Sequence, residues 1–140
     1  MKIATRLTLL LLAILTLFSL AACADVDKTG VWETATYDSN TELGEGEKTV
    51  TVKVVADEQE LTFTIHTDKA TLGEALLEHE LIAGDQGPYG LYVKKVNGIV
   101  ADYDVDQTYW SLTKNGETMM VGVDGAEIAD GEQYELTRTK

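Results

Sequence analysis

The amino-acid sequence predicts an α+β domain in which a mixed, β-grasp-like sheet carries one short helix. Three observations predict it. Two runs, Thr49 to Val54 and Leu61 to Ile65, alternate apolar and polar residues with period two. One segment after Thr71 has helical spacing and its own capping signal, and most of the remaining chain reads as short extended runs parted by Asn-Gly and Asp-Gly turns. The chain has 140 residues and is 44% hydrophobic, which fits one domain with a packed core rather than a disordered acidic tail.

The chain opens with a secretion signal. Lys2 and Arg6 form a basic region, Leu7 to Leu17 is nearly all apolar, and Leu20-Ala21-Ala22 places small residues before Cys23. This spacing resembles a bacterial lipobox, which implies cleavage before Cys23 and a diacylglycerol on its sulfur. A membrane-spanning helix fits less well, because the apolar run is broken by threonines and is shorter than the ~20 residues a bilayer needs. The sequence thus divides into a lipoprotein signal peptide (1–22), a lipid-anchored tether and N-terminal arm (23–47) and a folded domain (48–140). Cys23 is the only cysteine, which excludes an intramolecular disulfide and a thiolate-rich zinc site. The 24 acidic residues outweigh the 11 basic ones; the net charge of −13 becomes −15 once Lys2 and Arg6 leave with the leader. Such a surface repels phosphate backbones and anionic headgroups, so nucleic acid is excluded as a partner and the membrane is met through Cys23 alone.

In the arm, Val31, Trp32, Ala35 and Tyr37 are too apolar for a linker and are expected to lie against the domain as an edge strand or arm. Gly44-Glu45-Gly46-Glu47-Lys48-Thr49 lacks the glycine that a phosphate loop needs before its lysine, and it precedes a strand. Asp57 to Glu60 turns the first hairpin. Thr71-Leu72-Gly73-Glu74 reads as a capping box, with Leu72, Ala75 and Leu76 on one helical face and Gly84 placed to end a helix of about three turns. Leu91 to Val96 and Ile99-Val100 flank Asn97-Gly98; Tyr109 to Lys114 and Glu117 to Val121 flank Asn115-Gly116; Gln133 to Arg138 is the last strand.

Catalysis finds little support. The mature chain has two serines, Ser39 and Ser111, neither in a nucleophile-elbow setting, and His79-Glu80 lacks a second histidine at position 83. His79 reads as a last-turn residue favoured by the helix dipole, and His66 as a solvated strand residue. Asp102, Asp104 and Asp106 alternate as at the start of a calcium loop, but Gln107 and Thr113 stand where an EF-hand has its glycine and bidentate glutamate. A solvated acidic turn is the simpler account, and a metal site on these three carboxylates is the alternative. Tyr89, Tyr92, Tyr109 and Trp110 supply most of the aromatic surface of the second half, beside Met119 and Met120. Tyr109 and Trp110 must point to opposite faces of their strand, so one is expected in the core and the other facing outward.

Gly87-Pro88-Tyr89-Gly90-Leu91-Tyr92-Val93, Val96-Asn97-Gly98-Ile99, Asp102, Tyr109-Trp110-Ser111 and Asp130-Gly131 with Tyr134-Glu135-Leu136 resemble the C-terminal domain of transcobalamin and intrinsic factor. More closely, the chain resembles uncharacterised bacterial lipoproteins built on that domain, common in Gram-positive gut bacteria. The resemblance implies a non-enzymatic binding module at the extracytoplasmic face of the cell membrane, with cobalamin or another corrinoid as the ligand. It places the ligand edge around Tyr89, Trp110 and the hairpin bearing Asn115, Gly116, Met119 and Met120. The carriers' helical domain is missing here, so a small-molecule ligand would need a second wall from a protein partner. A metal-binding surface domain and a protein-recognition module using an open sheet edge stand as the alternatives.

Overall fold

The computed structural model describes residues 25–140, so the expected signal peptide and Cys23 lie outside the described residues. Among the described residues, nine strands form two sheets. The larger has the order β1-β3-β2-β9-β7-β8, from Thr41–Leu43, Gln59–Thr67, Lys48–Ala56, Gln133–Thr139, Tyr109–Lys114 and Glu117–Thr118. The smaller is β4-β5-β6, from Ile82–Gly87, Gly90–Val96 and Ile99–Val100. The chain is therefore mixed α+β and mostly sheet, and the larger sheet is itself mixed: β2 runs antiparallel to β3 and parallel to β9.

Period-two patterning produces this arrangement. Val50, Val52, Val54, Leu61, Phe63 and Ile65 point to one face and are all essentially buried, and Leu136 joins them from β9. Each such side chain contributes roughly 1.5–3 kcal/mol over its exposed state. The β2–β3 connection needs only two turn residues, Asp57 and Glu58, both at positive φ as a mirror-image turn requires.

Helix α1 spans Leu72–Glu78, two turns rather than the expected three. Its capping box is present: Thr71 Oγ1 accepts from Glu74 N–H, and Glu74 accepts from Thr71 N–H. The end differs from expectation. Glu80 adopts φ +55, and the amides of Glu80 and Leu81 return to the carbonyls of Leu77 and Leu76, a left-handed stop built on a non-glycine residue. Gly84 instead lies in β4 at a bulge, where a Cβ would overlap the Tyr92 carbonyl oxygen. The acidic stretch also gains structure, since Tyr103–Asp106 forms a one-turn helix, α2, N-capped by Asp102.

The arm is part of the core. Gly30–Thr34 is a 3-10 helix, not a strand, and Trp32 within it is fully buried with Nε1 donating to the Ala56 carbonyl at 2.8 Å. Tyr37 meets Phe63 edge-on with centroids 5.5 Å apart. The Asn97 side-chain amide pairs with both backbone groups of Tyr37, at 2.9 and 3.0 Å. The sheet-edge position falls to β1, parallel to β3.

Candidate ligand-facing edge

Two chain segments meet at the end of the fold where α1 begins. One is the tip of the β4–β5 hairpin, Gly87 to Gly90; the other is the stretch from Met119 to Asp124 that follows β8. Met119 N–H donates to the Leu112 carbonyl and its side chain packs partly buried against the core. The next residues turn outward past β5, and Asp124 Oδ2 accepts from Leu91 N–H at 2.9 Å. Tyr89 and Met120 project from these segments with 97% of their surface exposed, and Val121 is about half exposed. A tyrosine and a methionine left this free, on segments whose Leu91 and Met119 pack partly buried against the core, form an apolar rim able to cover a flat, polarisable surface.

Sequence reasoning missed Leu91, Val121 and Asp124. Gly122 and Gly125 around Asp124 were the available signal, because closely spaced glycines mark backbone in tight approach.

The remaining expected site residues separate. Asn115 and Gly116 form the exposed β7–β8 turn, with φ +50 and +84. They border a shallow polar depression of about 490 Å³ on the outer sheet face, shared with Thr51, Lys53, Gln133 and Glu135. Trp110 corrects the expectation outright. It is 9% exposed while Tyr109 is 39% exposed, so the tryptophan is core and the tyrosine faces outward. Strand parity explains the assignment, because Trp110 shares its face with Leu112, which packs against the core. Trp110 pairs across the ladder with Arg138, at the opposite end of β7 from Asn115, and its Nε1 is buried with no acceptor among the described residues.

Asp102, Asp104 and Asp106 do not converge on a shared point. Asp102 accepts from Asp104 N–H at 3.1 Å, spending an oxygen on the α2 cap. Lys94 Nζ pairs with Asp85 at 2.8 Å; that bond, followed by the nearby charge of Asp102, holds its pKa above the ordinary lysine value. Asp106 accepts from the Thr108 hydroxyl and binds Arg138 at 2.9 Å. The Thr108 bond first, and Arg138 after it, hold its carboxyl below the usual aspartate range. Arg138 thus already engages one of the three carboxylates, and no group of three or more His, Cys, Asp or Glu is placed to hold a metal ion among the described residues. His66 is likewise engaged on the outer face of β3, its Nδ1 2.9 Å from Thr49 Oγ1 and its Nε2 paired with Glu42.

The family model described as domain of unknown function DUF4430 matches residues 69–139. A crystal structure of a candidate metal-binding protein from Ruminococcus gnavus ATCC 29149 is 38% identical, with a TM-score of 0.64 over 67% of this chain and 98% of that one. Haptocorrin in complex with Cbi is 19% identical, with a TM-score of 0.56 over 66% of this chain; the match spans a quarter of the haptocorrin chain and is a likeness of fold. A search of curated proteins gives no match.

Proposed function

The chain belongs to the DUF4430 family, and we propose that it is a non-enzymatic binding module, lipid-anchored through Cys23 at the extracytoplasmic face, whose ligand edge is Tyr89 with Met119 to Val121. The observation that carries this reading is the near-complete exposure of Tyr89 and Met120 on two adjoining segments. An exposed solitary apolar side chain needs no explanation, whereas two at the meeting point of two loops form a surface for a partner.

A corrinoid or related tetrapyrrole is the proposed ligand class. The likeness of fold to haptocorrin, described in complex with Cbi, supports it. The strand order β3-β2-β9-β7 with one helix after the first hairpin suits a β-grasp reading of this chain. The edge is open rather than concave, so the module would cover one face of a macrocycle and leave the other to a protein partner.

Thermal unfolding of the protein with cobinamide, cobalamin, haem, Ca²⁺ and Zn²⁺ tests this. A ligand that binds only the native state adds about 2.7 kcal/mol at 100 times its Kd. Stabilisation by a tetrapyrrole, lost in Tyr89→Ala/Met120→Ala, is the expected result. Stabilisation by Ca²⁺ or Zn²⁺ alone would replace it with the metal reading, which the described relative from Ruminococcus gnavus motivates. No response to any of the five would leave the protein-recognition reading in front.

A further inference from the structure

We infer that Asp124 is the positioning residue of this edge, a latch that fixes the Tyr89 hairpin against the Met119–Val121 segment; the inference rests on the proposed ligand edge. The Asp124 carboxylate touches two elements of the fold at once, β5 and α1. Oδ2 accepts from Leu91 N–H at 2.9 Å, the first amide of β5 after Gly90. A Cβ on Gly90 would stand 2.8 Å from Oδ2 and 3.0 Å from the Asp124 Cβ, so the hairpin backbone rests directly on the carboxylate. On the other side, a Cβ on Gly73 in the first turn of α1 would overlap Oδ1. The carboxylate is held between two glycines on two elements, and only residues without side chains leave room for it.

Its position in the chain makes the contact consequential. Tyr89 lies two residues before the amide that Asp124 holds, and Met120 lies four residues before Asp124 itself. The hairpin tip has no larger sheet around it, since β4 is an edge strand of a three-stranded sheet and is exposed from Ala83 to Gly87. The Asp124 carboxylate thus ties the hairpin tip to a segment that the buried Val123 and Ala126 already fix to the core, and so holds the two projecting side chains in relation to each other. Asp124 is itself exposed, so its role is in geometry more than in burial. A carboxylate accepting from an amide is among the stronger hydrogen bonds available at such a site.

The test measures that spacing directly. In the full chain with Cys23→Ala, spin labels at Tyr89→Cys and Met120→Cys are the only thiol-borne probes, and their distance distribution needs no ligand. Asp124→Ala should at least double its width, and Asp124→Asn, whose side-chain oxygen still accepts from Leu91 N–H, should restore it. Gly73→Ala offers a second route, because its Cβ displaces the carboxylate while alanine favours the helix. It should broaden the distribution more when Asp124 is present than in Asp124→Ala, where its Cβ meets only the Val123 and Asp124 backbone at 3.3 and 3.4 Å. In unlabelled protein, Asp124→Ala should weaken cobinamide binding at least tenfold, with Asp124→Asn close to the parent. An unchanged distribution in Asp124→Ala and Gly73→Ala overturns the latch, as does a broadened one with undiminished cobinamide affinity. If the parent binds no tetrapyrrole, the proposed ligand fails while the distance measurement still decides whether Asp124 sets the geometry.

Discussion

Tyr109 and Trp110 are neighbours whose fates depend on strand parity. Trp110 faces inward with Leu112, so Trp110→Ala is expected to cost about 3–5 kcal/mol, the usual loss for a buried large aromatic. Tyr109→Phe should stay within about 0.5 kcal/mol of the parent, as surface changes generally do. Urea unfolding of the two variants measures both; a large loss in Tyr109→Phe with a neutral Trp110→Ala would reverse the assignment. Asp106 gives a pH-dependent counterpart. Its carboxyl is held below the ordinary aspartate value of 3.8 by the Thr108 hydroxyl and Arg138. Its contribution is present in full above that value and is lost as the pH falls through the lowered folded-state pKa. The melting temperature of Asp106→Asn should therefore lie below the parent's at neutral pH, and the gap should close as the pH drops below about 3.8. A gap that stays constant into strong acid would mean that ionised Asp106 contributes nothing.

At the scale of elements, the arm shows where local reading stops. Trp32 fills the space under β2 and bonds the last carbonyl of that strand, and the Asn97 amide ties Tyr37 to the β5–β6 turn. Trp32→Ala should cost about 3–5 kcal/mol, and a chain beginning at Lys48 should lose cooperative unfolding, both read by denaturant titration with near-ultraviolet circular dichroism. Full stability of that shortened chain would mean that the arm adds nothing to the fold. The hairpins, the capping box and the last strand were legible because their signals are local: period-two runs, Thr71 with Glu74, and Asn-Gly pairs. The boundaries that shifted depend on contacts distant in sequence. Glu80 accepts a left-handed conformation because Leu81 can then pack inward, and the chain through Gly84 becomes β4 because β5 lies beside it with Ile82 opposite Val96. At the candidate edge, Tyr89, Met119 and Met120 were recognisable from residue type and resemblance. Asp124 was not, since its meaning comes from two glycines 51 and 34 positions earlier in the chain.

The whole molecule is polarised along β2. The described chain starts at the β2–β3 turn: Asp25 bridges Ser39, Asp27 exchanges hydrogen bonds with the Gln59 amide, and Trp32 bonds Ala56. The opposite end holds Thr49 with Asp130-Gly131 and the Asn115-Gly116 turn. Beta3 also finishes there at Thr67, from which the chain enters α1 and brings Gly73 against Asp124 beside Gly90. The nine residues of β2 at about 3.3 Å each separate the two ends by about 30 Å. In the anchored protein we propose, two residue steps join Cys23 to Asp25, at most about 7 Å of extended chain. In that proposal a leash this short would keep the domain from turning over, holding the β2–β3 turn at the bilayer and directing the Tyr89 and Met120 edge away from it, where a second wall could reach it. Energy transfer from a dye on a single introduced cysteine to acceptor lipids in reconstituted vesicles measures this, since the proposed acylation would occupy the Cys23 thiol. A dye at Glu58→Cys should transfer strongly and one at Gly116→Cys weakly. A flexible Gly-Ser insertion after Ala24 should bring the two efficiencies together by letting the domain tumble. Equal transfer from both positions without the insertion would show that the short leash does not orient the domain.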